Sequence, residues 1–284
     1  MLLAIDIGNT NIVVGVFEQE PVSASSREEG ELPGLLHHWR LATVLDRTAD
    51  EHALLFRSLL ALVGIAVPGD RPAESANGIT GVAISSSVPP LTGVVRETAA
   101  RYFDVPTVVV GPGVASGMPI RYENPHEVGP DRIVNAVAAL DLYGAPAIIV
   151  DLGTATTFDA ISAAGEYLGG AIVPGIEIAL EALTARAASL RSVGLTEAPR
   201  HVIGRTTIES IQSGVIFGTA AMVDGLCAKI EDELGPSTII ATGGLGSIVV
   251  PHARKIAAYE PWLTLHGLRL LFNRNINRGE SSNG

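Results

Sequence analysis

The sequence predicts an α/β protein built as two duplicated halves, and three observations carry that prediction. Apolar runs of strand length alternate with stretches of helical spacing through the 284 residues, a pattern that yields mixed sheets covered by helices. A polar turn between two strands, Asp6-Ile7-Gly8-Asn9-Thr10-Asn11, returns as Asp151-Leu152-Gly153-Thr154-Ala155-Thr156. Both copies read apolar strand, Asp-x-Gly, hydroxyl-rich turn, second strand, which is the mark of an internal repeat. An apolar fraction of 47% and a mean hydropathy of +0.34 supply enough material for two cores. The halves are expected at 1–118 and 119–284, with the last helix packing back on the first.

Composition narrows the partners. A net charge of −11 and a pI near 5.1, with no lysine-rich or arginine-rich run, leave no nucleic-acid footprint. No apolar run reaches the roughly 18 residues of a membrane span, and the first residues lack the basic start and cleavage site of a signal peptide. The expectation is no membrane partner and a cytoplasmic location. A single cysteine, Cys227, excludes an internal disulfide and fits a reducing compartment.

The first hairpin joins Met1–Ile5 to Ile12–Phe17 through a turn too tight for a helix. Gly8 lets a ligand approach the backbone, Asn9, Thr10 and Asn11 offer donors to phosphate oxygens, and Asp6 stands at a strand end where it can orient hydrated magnesium. An ordinary Asn/Gly hairpin would look similar, but the second copy argues against coincidence. In a duplicated protein a nucleotide would lie in the cleft between the halves, with one such turn reaching its phosphates from each side.

Residues 18–36 read as an extended loop rich in Glu, Ser, Gly and Pro. Trp39–Thr43 reads as a strand, and Thr48–Val63 as a helix with a Thr48/Glu51 capping box. After a Pro/Gly linker at 64–78, Gly81–Ser85 is a buried strand, Ser87 a candidate cap for a helix opening at Val88-Pro-Pro, and Thr107–Val110 a further strand. Gly129-Pro130-Asp131-Arg132 opens a helix closed by Gly144. Asp131 falls in its first turn, where the dipole favours the anion, and Arg132 beside it can meet a carboxylate or phosphate. Two roles stay open for Asp131, helix capping and catalytic base.

Beyond the second hairpin, Gly165–Val173 continues the sheet and Pro174-Gly175 starts a helix reaching about Leu190. Gly204-Arg205-Thr206-Thr207 opens a long helix to Leu234, and its start can cap the helix or hold an anionic group. Thr238–Ala241 is a strand running into Thr242-Gly243-Gly244, a turn able to approach a flat ligand, and His266–Asn277 is the final helix, with a tail from Gly279 expected to fray.

Taken together, Asp6-x-Gly-Asn-Thr10, Gly-Pro-Asp131-Arg132, Asp151-Leu-Gly-Thr-Ala-Thr156, Gly-Arg-Thr206-Thr-x-x-x-Ile-Gln-Ser-Gly214 and Thr242-Gly-Gly244 resemble type III pantothenate kinases, in order and along essentially the whole chain. The resemblance implies the actin-like ATPase fold shared by acetate and sugar kinases, heat-shock chaperone ATPases and actin, usually as a homodimer. It implies transfer of a phosphoryl group from ATP to pantothenate, the first step of coenzyme A synthesis. Asp6, Ile7, Gly8, Asn9, Thr10, Asn11, Ile12 and Val13 would form the ATP phosphate loop, with Thr154 a further ATP contact. Asp131 would be the base, and Tyr122, Gly129, Pro130, Asp131, Arg132 and Thr206 would bind pantothenate. Asp151 matches the ligand of a monovalent cation, K⁺ or NH₄⁺, and Mg²⁺ would accompany ATP, with Asp6 toward it through the phosphates. This chain departs from the family's usual alanine at Pro130, and its 20–36 loop is longer. Rival readings are a sugar or acetate kinase, a chaperone-like ATPase, and a catalytically silent accessory protein that regulates.

Overall fold

A computed structural model describes residues 1–18, 32–67, 78–186, 193–195 and 197–281. Most of the 20–36 loop, most of the 64–78 linker, the expected helix end at 187–190 and the last three residues of the tail lie outside the described residues.

The first sheet contains β1 (Leu2–Ile7), β2 (Asn11–Phe17), β3 (Leu35–Ala42), β4 (Gly81–Ser86) and β5 (Thr107–Val109), with α1 (Ala49–Leu62) and α2 (Pro89–Tyr102) between strands. After α3 (Pro130–Tyr143), the second sheet contains β6 (Ala147–Leu152), β7 (Ala155–Ile161), β8 (Tyr167–Pro174), β9 (Thr238–Thr242) and β10 (Ala258–Tyr259). Its helices are α4 (Ile176–Arg186), α5 (Thr207–Leu234) and the short α6 (Gly246–Val249), and α7 (Leu263–Ser281) follows.

The duplication is visible strand by strand. Orders β3-β2-β1-β4-β5 and β8-β7-β6-β9-β10 are the same: an antiparallel meander continued by parallel strands. The burial pattern is the same along β1 and β6, and along β2 and β7. Even the register shift recurs, between Val16 and Phe17 in one sheet and between Ala160 and Ile161 in the other. Strands buried on both faces read as continuous apolar runs, and two such runs around an Asp-x-Gly turn make the repeat legible in the sequence.

Contacts divide the chain into two compact units that do not follow a single cut. One takes Met1–Gly117, His126–Ala138 and Thr264–Gly284, and the other Met118–Pro125 and Ala139–Leu263. In the first unit α1 and α2 cover one face of the sheet through Phe56, Leu60, Leu91, Val95 and Phe103 against Leu3, Ile5, Ile7, Ile12 and Ile84. The other face is covered by α7, whose Leu265 and Phe272 press on Gly15 and Gly81. In the second unit Ile148, Val150, Leu152 and Phe158 pack with Ile176, Ala220, Val223 and Cys227. Each of these Val, Leu, Ile and Phe side chains contributes about 1.5–3 kcal/mol by leaving water.

Local signals place most helix starts. Thr48 Oγ1 accepts from Glu51 N while Thr48 N donates to Glu51 Oε2, the reciprocal box read from the sequence. Ser87 does not cap α2, a correction to the sequence expectation. The residue before α2 is Val88, its N–H donates to Ser86 Oγ at 3.1 Å, and the Ser87 hydroxyl instead turns back to Ile7 O. One helix bears on the membrane expectation without overturning it. No uninterrupted apolar run is long enough, yet α5 is long and apolar enough by length and composition to cross a bilayer. Its alanines and glycines raise its apolar content without a continuous run, and one face, carrying Ile211, Ile216, Ala220, Val223 and Cys227, is buried.

Under α1, His52 is fully buried against Phe56 with neither ring nitrogen hydrogen-bonded. Burial pushes its pKa below the ordinary 6.5, assisted by Arg47 and opposed by Glu51. The unfolded chain therefore binds more protons as pH falls through 6.5, and stability drops there by up to about 1.4 kcal/mol per pH unit. Urea unfolding at pH 7.5 and 5.5 should show a smaller acid loss for His52→Leu than for the parent; equal losses would exclude His52 as the source.

Candidate active site

The first hairpin closes between Ile7 and Ile12, which face each other in register. Gly8 N donates to Asn11 O at 2.9 Å, and Thr43, just past β3, braces the turn through its hydroxyl to Gly8 O at 2.7 Å and its N–H to Thr10 O at 3.0 Å. Asn9 and Thr10 are left exposed at the tip. Ile7 and Ile12 are buried in the core, so what they offer a ligand is main chain. Thr43 was not singled out from the sequence, since nothing local ties it to a turn so far upstream.

Asp6 lies at the end of β1, on the sheet face that α7 covers: Asp6 alternates with Ala4 and Leu2, whose partners are Gly15 and Gly81. The opening of α3 belongs to the same unit and packs on the same helix, Val134 against Gly267 and Asn135 Oδ1 accepting from Thr264 Oγ1 at 2.8 Å. Asp6 and the α3 segment are thus brought to one side of the first sheet. Ser85, the partner of Asp6 across β1 and β4, is fully buried on that side with its hydroxyl unmatched by any described group. An unmatched hydroxyl beside a strand-end carboxylate is a pair that a hydrated divalent cation would fit, a water of its shell serving the hydroxyl. Ser85 had no sequence signal beyond its place in a buried strand.

At the start of α3, Pro130 is the first helical residue and Asp131 the second. Arg132 N donates to Asp131 Oδ1 at 2.9 Å. Burial pushes the Asp131 carboxyl above its ordinary 3.8, against the opposing pull of the Arg132 N–H and guanidinium. Gly129 leaves room for that carboxylate, since a Cβ there would stand 2.5 Å from Asp131 Oδ1. Arg132 is itself only 8% exposed. A partly desolvated carboxylate at a helix start is suited to take a proton from a hydroxyl.

The second unit gathers another group. Asp151, at the end of β6, pairs with Thr242 of β9, and Gly243 follows with φ +93°. A Cβ on Gly243 would lie 2.6 Å from Asp151 Oδ1 and from the backbone of Leu152, so the Asp151 carboxylate sits in a cradle a side chain would fill. Tyr259 OH donates to Gly243 O at 2.9 Å and fixes the turn. A carboxylate walled by main chain is a donor set a monovalent cation can use. Thr154 is held by Gly175, whose N–H donates to Thr154 O at 3.1 Å and whose own Cα leaves no space for a side chain against Gly153 and Thr154.

Tyr122 is half-buried in the loop before α3, its ring against Gly169. Thr206 caps α5, its hydroxyl accepting from Glu209 N at 3.2 Å while Glu209 Oε2 accepts from Arg205 N at 2.8 Å. Thr206 is exposed, so its Oγ1 can meet a ligand only beside this bond. Among the described residues no group of three or more His, Cys, Asp or Glu is arranged to hold a metal ion.

In the first unit a strand-end carboxylate, a hydroxyl-rich turn and a base-like aspartate share one side of the sheet, a set suited to phosphate chemistry, and the second unit repeats the carboxylate and the turn; comparison with known proteins agrees with that chemistry. The family model described as type III pantothenate kinase matches residues 2–229. The chain belongs to the type III pantothenate kinase family. A type III pantothenate kinase of Streptomyces avermitilis is 49% identical over 283 residues, covering 98% of this chain and 100% of that protein. One from Myxococcus xanthus is 48% identical, covering 97% and 99%. The ethanolamine utilization protein EutJ from Carboxydothermus hydrogenoformans shares the fold at 15% identity, with a TM-score of 0.53 over 95% of this chain and 89% of that one.

Proposed function

We propose that this chain transfers the γ-phosphoryl group of ATP to the hydroxyl of pantothenate, giving 4′-phosphopantothenate and ADP. The observation that carries the reading is the Asp131 arrangement at the start of α3, in a chain of this family: a carboxyl raised by burial, held clear by Gly129, with buried Arg132 beside it. Phosphoryl transfer asks mainly for positioning and charge stabilisation. Asp131 orients the pantothenate hydroxyl and takes its proton late, as the new P–O bond forms and the bond to ADP breaks. Arg132, Tyr122, Gly129, Pro130 and Thr206 hold pantothenate, and the Asp6–Val13 hairpin with Thr154 holds the nucleotide phosphates. Mg²⁺ would supply charge neutralisation at the phosphates, with Asp6 and Ser85 toward its water shell, and a monovalent cation would rest on Asp151.

ADP release from ATP and Mg²⁺ should require pantothenate and should fall when sodium replaces potassium. Release without pantothenate would favour an ATPase, and release with a sugar or acetate in its place a different kinase. No release from folded, nucleotide-binding protein would favour a silent accessory role.

The same reading places the enzyme in the cytoplasm as a homodimer. Burial pushes the Cys227 thiol up to about 12, so it is inert as a nucleophile. The second copy has a surface to meet: a groove of about 700 Å³ runs along α4 and α5, lined by Val173, Ile176, Leu183, Ile211, Val215 and Met222. Gly214 and Gly218 on its floor face open space, and Ile172, Ile178 and Ile208 are exposed nearby. An apolar face of this kind on a helix as apolar as α5 calls for a protein partner. Light scattering should give a dimer mass for the parent and a monomer mass for Gly218→Arg; a monomeric parent would refute the dimer.

A further inference from the structure

We propose that the bulged start of β8 is a positioning device for Tyr122, with Gly169 as the platform under its ring and the Asp159–Tyr167 pair as the brace beneath. The inference rests on the reading of Tyr122 as a pantothenate-binding residue.

The chain leading to Tyr122 is stitched onto β8. Tyr167 N donates to Pro119 O at 2.9 Å, Arg121 N donates to Tyr167 O at 2.8 Å, and Ile120 forms an isolated parallel bridge with Tyr167. The Arg121 guanidinium adds a bond from Nε to Glu166 Oε1 at 2.9 Å. Tyr122 is therefore the first residue beyond an anchored backbone. At the same place the register of β7 and β8 shifts: Ala160 faces Gly169 and Ile161 faces Tyr167, which leaves Leu168 outside the pairing and 40% exposed. Bulges of this kind re-aim side chains and recur beside active sites.

Gly169 has φ +121°, and a Cβ on it would lie 3.0 and 3.1 Å from Cε2 and Cδ2 of the Tyr122 ring. The aromatic ring thus rests directly on bare main chain. Tyr167 is fully buried, with its ring centroid 6.4 Å from that of Tyr122 at an interplanar angle of 53°. Its hydroxyl donates to Asp159 Oδ1 at 2.7 Å, and Asp159 is also fully buried. Burying a carboxylate is costly unless its bonds are met, so the pair holds Tyr167 in one orientation or destabilises the sheet.

The first unit is an internal control. It shifts register at the equivalent place, Val16 facing His37 and Phe17 facing Leu35. There the counterparts of Asp159, Tyr167 and Gly169 are Gly15, Leu35 and His37. The register shift is made there without an aspartate or tyrosine at these places, so Asp159 and Tyr167 are not what it requires, and His37 does not share the left-handed backbone of Gly169. Asp159, Tyr167 and Gly169 set apart the copy that carries Tyr122.

Steady-state kinetics of the full-length enzyme test this, with pantothenate and ATP varied separately for Gly169→Ala, Tyr167→Phe, Tyr122→Ala and the double variant Tyr122→Ala/Gly169→Ala. Gly169→Ala should raise the KM for pantothenate about tenfold, and Tyr167→Phe, which keeps the ring, about fivefold, with the KM for ATP unchanged. In the Tyr122→Ala background Gly169→Ala should add nothing. If Tyr122→Ala raises the KM while Gly169→Ala and Tyr167→Phe leave it alone, or if the effects simply add, the platform is refuted and the reading of Tyr122 stands. If Tyr122→Ala itself leaves the KM for pantothenate unchanged, the reading of Tyr122 fails and the proposal with it. Should Gly169→Ala not fold, Tyr167→Phe decides.

Discussion

Asp131→Asn should lower kcat by about 10²–10⁴, the usual contribution of a positioned acid or base, while nucleotide still binds and the fold persists. The substitution keeps the side chain's shape and its contact with the Arg132 N–H, and removes only the capacity to accept a proton. Stability should move the other way. Burial raises the folded-state pKa of Asp131 above its ordinary 3.8, so the ionised carboxyl destabilises the fold at neutral pH, and the penalty disappears only as pH falls below 3.8. A neutral amide avoids that penalty, so at pH 7 the variant should melt no lower than the parent. The acid limb of kcat/KM in the parent should likewise lie above the ordinary carboxylate range. Near-parental turnover in Asp131→Asn would remove the residue from the mechanism.

Gly243→Ala is the second large effect. The alanine must adopt φ +93° and must place its Cβ 2.6 Å from Asp151 Oδ1 and from the Leu152 backbone. Backbone strain of about 1–2 kcal/mol and an overpacking cost of about 1–3 kcal/mol together give roughly 2–5 kcal/mol, read as a lower denaturant midpoint. If Asp151 holds the monovalent cation as proposed, the displaced carboxylate should also remove any difference in activity between potassium and sodium. Gly235→Ala provides the comparison, because Gly235 has φ +90° but open space around it. That variant should show the strain alone and keep the cation response. If the two alanine variants behave alike, the crowding of Asp151 has no consequence.

What could be read along the chain was what short-range chemistry writes there. The Thr48/Glu51 box, the Thr206 cap, Pro130 opening α3 and the two Asp-x-Gly hairpins each depend on residues a few positions apart, so spacing and residue type suffice. The register of each hairpin follows from its short turn, which sets Ile7 against Ile12 and Leu152 against Thr156. Ser87 misled because a serine beside a helix start has several nearby acceptors, and the path of β4 beside β1 turned it to Ile7.

Other features arose only when distant segments met. Gly243 against Asp151, Thr43 under the first turn, Ser85 beside Asp6 and Gly169 under Tyr122 join positions separated by whole elements; only Gly243, in its Thr-Gly-Gly turn, carries a local signal, and that signal does not point to Asp151. Residues 126–138 and 264–284 fall in the first unit for the same reason: packing of α7 on β2 and β4 decides it, not their order in the chain. Local propensity determined the elements and the candidate chemistry of this protein. Close packing, which leaves a glycine where no Cβ fits and a hydroxyl where no partner reaches, decided how those groups are held.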